Sequence, residues 1–579
     1  MWGRLLKLVG AVILATVLGA VGAVQWAVTV PPPRPATAPA EIARTRLTYP
    51  YGDDLVVVRL AGEPYALGWQ QGRLVGERVR AAYRAILDHV AAGVREDLGL
   101  PAWLAGAILD GVWWRLAPHV PRTFKEEMVG LADGSGVSYR MVCRIHAIPT
   151  LTEFNCASFA ATTAAAAHDS LVHLRNLDWA VESGIQRFSQ VTVVEPAAGE
   201  PFVNLGWSGF LGAVSGINRA GISIAEITAR SAAASMAGEP MVARLRRVLQ
   251  EATDLDRAVA IVSHPPRTLG YNFVIASARE DRAVAVESNR ERVALFQPGD
   301  PREGAGAMAP FARTLGGVVV RASLALDERI RDAQLALAGD PHHPGLEPPR
   351  GSGYTVRYVR QAEMLLASPA GLTVDRAKAI ARAIAPVSNL QSVIYTYPTF
   401  HVANAAVAAD SSDVAKEAAK AASQPYRPFD LRDWFALPPP LPGTNLAAAC
   451  QEPLNVEAQR GRDAERIEPT LNHVPAPPPL IVTPYLRSLE TVGVAGGGAE
   501  GAPGESDVVE PLQTRQRVWA PGSPSPLRPR KPPRPATRRT AVPKEGGGPA
   551  AALGSRWTKA TSVCHWASSN YAVHGASGW

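Results

Sequence analysis

Four cysteines in 579 residues are too few for a disulfide scaffold of this size, and none of them pairs as Cys-x-x-Cys. A structural zinc site of the usual spacing is therefore absent from the pattern. The chain also lacks a His-Glu-x-x-His helix, a Walker-type phosphate loop and a Gly-x-Ser-x-Gly elbow. The glycine-rich Gly206–Gly212 segment lacks the strand–loop–helix context of a dinucleotide site, and no cofactor is implied. Charged residues make up only 19%, and aromatic residues 7%. The apolar fraction of 47% excludes a wholly disordered chain, and 50 glycines with 50 prolines show no collagen-like period. No internal repeat of solenoid length is visible.

The formal charge of +7 is unevenly placed. The last 79 residues carry 11 Lys/Arg and 4 Asp/Glu, whereas residues 1–500 carry 48 of each. The basic excess therefore gives no nucleic-acid footprint on a folded region. Of the 50 prolines, 22 lie beyond Leu437, in runs such as Pro438–Pro440 and Pro477–Pro479. Residues 438–579 are expected to form a Pro-rich, basic, disordered tail, because such a stretch buries too little apolar surface to offset its ordering entropy. It reads either as a solvated tail or as a polybasic tether for anionic surfaces.

At the other end, Arg4 and Lys7 precede an uncharged stretch of 23 residues, Leu8–Val30. That is long enough to span a bilayer, and the preceding positive charge orients the rest of the chain outward. Residues 1–30 are expected to be a signal-anchor or signal peptide, so the protein would be exported, and held at the membrane if the segment stays uncleaved. Residues 31–47, with Pro31–Pro33, Pro35 and Pro39, read as a linker.

Between about Thr48 and Leu437 the texture is that of an α+β protein. Asp53–Leu60 reads as a strand, and Tyr65–Ala92, Pro101–Leu116 and Pro121–Leu131 as helices. Further along come β-rich runs at Leu171–Leu174, Gln190–Val194, Phe202–Gly206, Gly221–Ile227, Phe273–Ala276 and Ala283–Glu287. Helices are expected again at Pro240–Ala252, Leu255–Val262 and Val356–Leu366. Two β-rich blocks flanked by helices indicate α+β layers rather than a βαβ repeat.

The remaining chemistry gathers around Cys156, in the run Glu153-Phe154-Asn155-Cys156-Ala157-Ser158-Phe159-Ala160, with Leu174-Arg175-Asn176-Leu177-Asp178-Trp179 a short way beyond it. Other pieces stand in order along the chain: Gly68-Trp69-Gln70-Gln71-Gly72-Arg73-Leu74, Glu127 to Gly136, and Ser215-Gly216-Ile217-Asn218-Arg219-Ala220-Gly221-Ile222. They continue with Tyr271-Asn272-Phe273-Val274-Ile275, Arg357-Tyr358-Val359-Arg360 and Ser388-Asn389-Leu390-Gln391-Ser392-Val393. The ordered set resembles the C45 peptidase, or acyl-CoA:6-aminopenicillanic acid acyltransferase-like, family of N-terminal-nucleophile cysteine hydrolases, over about Ala61 to Leu431.

The resemblance implies a four-layer αββα sandwich, with residues 48–155 as a helical pro-segment and residues 156–437 as the nucleophile-bearing chain. It implies self-cleavage between Asn155 and Cys156, then acyl transfer through a Cys156 thioester from a small N-acyl amide or acyl thioester. An internal cysteine has no adjacent base; once released as a chain terminus, its α-amino group titrates near about 7.7–8 and serves as one. The resemblance carries Arg175, Asp178, Asn218 and Arg357 into the site beside the nucleophile. Each residue has a plainer reading: Arg175 and Asp178 as a surface ion pair, Asn218 as a turn residue and Arg357 as a helix-surface arginine.

One departure from the family pattern matters. Where a Thr-Asn-His element is expected, the chain reads Arg321-Ala322-Ser323-Leu324, so the oxyanion donor is open, with Asn272 and Asn289 as substitutes. His146 and His173 would allow a papain-like Cys–His pair or be core histidines. Cys143 reads as a small core residue, Trp113-Trp114 as packed in a core or against a membrane. Spacing does not decide whether Glu226 or Glu287 faces the pocket. A non-catalytic, membrane-tethered binding protein on an inactivated hydrolase scaffold is the alternative.

Overall fold

A computed structural model describes residues 30–36, 46–48, 50–53, 55–152, 156–167, 170–305, 312–336, 353–368 and 371–438, with a few isolated positions before residue 30. Asn155, most of the expected leader (1–30) and linker (31–47), and the expected tail beyond Pro438 lie outside the described residues. Among the described residues no helix is long and apolar enough to cross a membrane.

Strands β1 (Arg46–Thr48), β2 (Pro50–Asp53) and β3 (Val56–Gly62) lead into helices α1 (Pro64–Leu98), α2 (Leu104–Leu116), α3 (Arg122–Ser135) and α4 (Tyr139–Leu151). The chain then enters β4 (Ala157–Ala161) and β5 (Val172–Asp178). Strands β6 (Ser189–Pro196), β7 (Phe202–Trp207), β8 (Ser215–Asn218) and β9 (Ile222–Thr228) come next, then α5 (Met241–Glu251) and α6 (Leu255–Ser263). Beyond them are β10 (Tyr271–Ser277), β11 (Arg282–Ser288), β12 (Val293–Phe296), β13 (Val318–Arg321), α7 (Glu328–Leu335), α8 (Gly353–Leu366) and α9 (Val374–Ile384). The described chain closes with β14 (Asn389–Thr396), β15 (Thr399–Asn404), α10 (Asp413–Ala419) and β16 (Arg427–Asp430).

The strands form two sheets, of order β1-β3-β6-β7-β8-β9-β10-β11-β12 and β13-β4-β5-β14-β15-β16. Every pairing is antiparallel except β3 with β6, which run parallel with Val56 beside Gln190. The antiparallel majority bears out α+β layering and excludes a βαβ repeat. Strands β9, β10 and β11 pack on β4, β5 and β13, so the sheets lie face to face. Helices α1, α5 and α6 cover the outer face of the larger sheet; α8 and α9 cover the smaller one.

Burial on both faces explains the strand texture. In β3, Val56, Val58 and Leu60 join the core beneath the helices. Leu55 and Val57 join a second core with Val393, Tyr395, Phe400 and Val402 of the facing sheet. A strand buried on both sides reads as a continuous apolar run, as this one does.

The motif at Gly68–Gly72 and the one at Glu127–Gly136 turn out to be two halves of one contact. Helices α1 and α3 pack backbone to backbone: a Cβ at Gly68 would stand 1.9 Å from the Glu127 carbonyl oxygen, and one at Gly130 would stand 2.0 Å from that of Tyr65. Glycine is required there by space. The helical layer is then pinned to α5 by the buried pair Glu127–Arg246 at 3.1 Å.

Candidate active site

The β4–β5 hairpin turns a long sequence spacing into proximity. Its register sets Ala157 opposite Asn176 and Ser158 opposite Arg175. Cys156, one residue before β4, therefore stands at the level of Leu177, between Arg175 and Asp178. Cys156, Arg175, Asp178 and Glu226 are all buried to 1% exposure or less.

Burial pushes the Cys156 thiol up to about 12, against the pull of the Arg175 guanidinium; the Glu226 and Asp178 carboxylates add to the rise. In the intact chain the thiol is therefore protonated near neutral pH and a poor nucleophile. Arg175 donates Nη1 to the Asn176 carbonyl at 3.0 Å, and its Nε and Nη2 have no hydrogen-bond partner among the described residues. Its Nη2 lies 3.7 Å from Glu226 Oε2, an ion-pair contact too long for a hydrogen bond. Burial raises Glu226 to about 7, opposed by Arg175 and by the hydrogen bond that Thr228 Oγ1 donates to Oε1 at 2.9 Å.

Asp178 is held from two sides. Arg357 Nη2, from α8, lies 2.7 Å from Oδ2. Asn389 Nδ2 donates to Oδ1 at 2.8 Å, and Asn389 Oδ1 accepts from the Ala422 amide at 2.9 Å. The β5–β14 register shifts between Asn389 and Gln391, and this irregularity sets Asn389 directly beside Asp178. Burial raises the Asp178 carboxyl despite Arg357 and Asn389. Arg175, Asp178 and Arg357 thus converge on the Cys156 end of the hairpin, and the plainer readings of a surface pair and a surface arginine do not hold: all three are buried. Sequence reasoning left Glu226 undecided and gave Asn389 no role. The one available signal for Asn389 was a polar residue in an otherwise apolar strand.

Asn218 goes elsewhere. Its Nδ2 donates to the Leu249 and Ala252 carbonyls at the end of α5, and its Oδ1 accepts from the Ile222 amide, which fills its hydrogen-bonding capacity as a turn residue does. Asn272 donates to the Ala322 and Leu324 carbonyls, and Asn289 Oδ1 caps the Glu291 and Arg292 amides. None of the three asparagines weighed as oxyanion donors has an amide hydrogen pair uncommitted to protein, save that Asn289 holds only Ser231 Oγ at 3.3 Å.

The histidines are structural. His146 bonds the Val142 carbonyl through Nδ1 and the Leu211 amide through Nε2, and burial lowers it to about 4. His173 bridges Ser158 and Ser223 between the two sheets, and burial lowers it to about 3. Neither hydrogen-bonds Cys156. Glu287 faces away from the nucleophile's partners: it pairs with Arg321 at 2.8 Å and accepts from the Leu326 and Asp327 amides. Arg321, where the family pattern differs, also pairs with Glu303 at 2.6 Å. Cys143 is a buried core thiol whose ionisation burial disfavours, and Trp113 is core while Trp114 is exposed. Among the described residues no group of three or more His, Cys, Asp or Glu is placed to hold a metal ion.

Residues 165–303 match the model of the acyl-coenzyme A:6-aminopenicillanic acid acyltransferase family. The match contains Arg175, Asp178, Asn218 and Glu226; it begins nine residues after Cys156 and ends before Arg357. The resemblance read from the sequence is therefore borne out. Protein dcd1B of Dictyostelium discoideum is 26% identical over 282 residues, 45% of this chain and 56% of that protein. The chain thus spans little more than half the length of that relative. Among solved structures, a Caenorhabditis elegans N-acylethanolamine-hydrolyzing acid amidase ortholog aligns at 14% identity and a TM-score of 0.29, over 42% of this chain and 92% of that one. Penicillin V acylase from Agrobacterium tumefaciens aligns at 13% identity and a TM-score of 0.28, over 44% and 84%.

Proposed function

We propose that this protein is a self-processing cysteine amidase or acyltransferase that handles the acyl group of a small N-acyl amide or acyl thioester. The observation that carries this reading is the buried group of Cys156, Arg175, Asp178 and Glu226 at the head of the β4–β5 hairpin, continuous with the family match.

The first step is attack by Cys156 Sγ on the Asn155 carbonyl carbon. A C–S bond forms, the Asn155–Cys156 C–N bond breaks, and the Cys156 nitrogen leaves as an amine. Water then cleaves the thioester, giving an Asn155 carboxylate and a terminal Cys156. The new α-amine takes the thiol proton, and its ammonium form is a cation at the thiol itself, which favours the thiolate. Asp178, held by Arg357 and Asn389, is the carboxylate suited to hold that ammonium. The thiolate attacks the substrate's acyl carbon, the amine departs with a proton, and water or a second amine takes the acyl group. The unpartnered Nε and Nη2 of Arg175 are the donors left for the developing oxyanion. Export is a further part of the proposal, from the Arg4, Lys7 and Leu8–Val30 pattern.

The commitment of Asn218 and Asn272 to backbone carbonyls favours a second reading, a non-catalytic binding protein on the same scaffold. A denaturing gel separates them. The enzyme gives two fragments divided at Asn155–Cys156, and Cys156→Ala leaves one chain with no acyl transfer from N-acyl amides. A chain that is never cleaved, and whose function is unaltered in Cys156→Ala, removes the catalytic reading.

A further inference from the structure

Helix α2 is apolar on both faces, yet it lies at the surface. Its only charged residues are Asp110 and Arg115, and Asp110 is buried against Arg140 and Arg144, the latter at 2.7 Å. One face, with Leu109, Trp113 and Leu116, enters the core. The other face is laid out at helical spacing: Leu104, Ala107, Ile108, Gly111 and Trp114, led by Trp103. Trp103 is 73% exposed, Trp114 41% and Ile108 37%. A helix apolar all round belongs in a core or in lipid, and a patch led by two tryptophans marks an interaction site.

Two observations identify the surface that covers it. Val30, the last residue of the uncharged 23-residue stretch, lines a groove with Pro31–Pro33, Trp113, Ala117 and Arg122 at the foot of α2. The chain is fastened there: Arg34 forms a bidentate pair with Asp133, at 2.6 and 2.9 Å. The membrane-length segment therefore enters the structure beside the exposed tryptophans. The same end of the helix carries Arg115 and the exposed Arg122, the latter paired with Glu126. Tryptophan flanked by basic residues suits the boundary between acyl chains and anionic headgroups.

We infer that the outer face of α2, from Trp103 to Trp114, lies in the surface of a lipid bilayer and sets the orientation of the folded body on it. The inference is independent of the chemistry at Cys156, so Cys156→Ala serves equally well as the test protein. Hydrogen exchange is measured on the full chain with and without vesicles of phosphatidylcholine containing a minority of phosphatidylglycerol. Exchange of residues 100–118 is expected to slow roughly tenfold with vesicles. The Trp103→Ser, Ile108→Ser, Trp114→Ser triple variant, all surface positions, is expected to lose that slowing while unfolding at the wild-type temperature. Equal exchange with and without vesicles overturns the inference, as does slowing that persists in the triple variant. Slowing without vesicles, together with a dimer in sedimentation velocity, overturns it in favour of a second copy of the chain.

Discussion

Asn389 shows how much a single amide can organise. It donates to Asp178 and accepts from Ala422, both inside a fully buried site. Replacing it with alanine leaves the Ala422 N–H without an acceptor and Asp178 with one partner fewer, at a cost of about 1–3 kcal/mol. Asn389→Ala is expected to lower both urea stability and the rate of Asn155–Cys156 cleavage, the latter monitored by gel. Glu226 makes a pH-dependent case. Its carboxyl sits near 7 in the fold against an ordinary value of 4.5, so the folded protein binds that proton more tightly than the unfolded chain. Its contribution is complete below about pH 4 and is lost as pH rises through about 7, on the order of 3 kcal/mol at most. Glu226→Gln should remove that part of the slope in urea unfolding between pH 5 and pH 8; a variant that keeps the wild-type slope contradicts the assignment. Cys156, Arg175 and Asp178 were legible because hairpin chemistry keeps their spacing. Asn389 and Glu226 come from distant strands, and only the assembled sheets bring them near.

At the scale of elements, the α1–α3 contact rests on glycines with no room for a methyl group. Gly68→Ala or Gly130→Ala forces the two backbones apart, and each is expected to cost about 3 kcal/mol or more in denaturant unfolding. A surface control, Gly111→Ala, meets open space and should cost nothing measurable. The long helices and the valine-rich strands were readable from apolar period and run length. The expected helix at Tyr65–Ala92 extends to Leu98, and its interior carries one non-helical residue, Val75. Strand β4 was not readable: Ala-Ser-Phe-Ala-Ala has little β preference of its own and becomes a strand because β5 and β13 flank it. The expected strand at Gly221–Ile227 is preceded by a second, β8, since the turn at Asn218–Gly221 folds the run back on itself.

For the whole molecule, the layers are joined by buried ions as well as by apolar packing. Arg321 of the smaller sheet meets Glu287 of the larger one and Glu303 beyond it, all fully buried. Removing the cation leaves two carboxylates without their counter-charge, a change worth about 3–5 kcal/mol. Arg321→Ala is expected to be more destabilising at pH 8 than at pH 5 in urea titrations, because burial already raises both carboxyls and acid lets them neutralise. This cluster occupies the position at which the chain departs from the family pattern, and a sequence comparison sees only a missing asparagine there.

The parallel pairing of β3 with β6 has a consequence in time. Val56 must wait for Gln190, which is made 134 residues later, and everything between them includes four helices and the β4–β5 hairpin. At ribosomal speeds of about 5–20 residues per second, that wait lasts roughly 7–27 seconds. Throughout it, the hydrophobic run of β3 has α1 to cover one face but no neighbour on its β6 edge. During synthesis the chain is therefore most vulnerable to association with other nascent copies at its oldest strand, and the emergence of β6 ends that exposure.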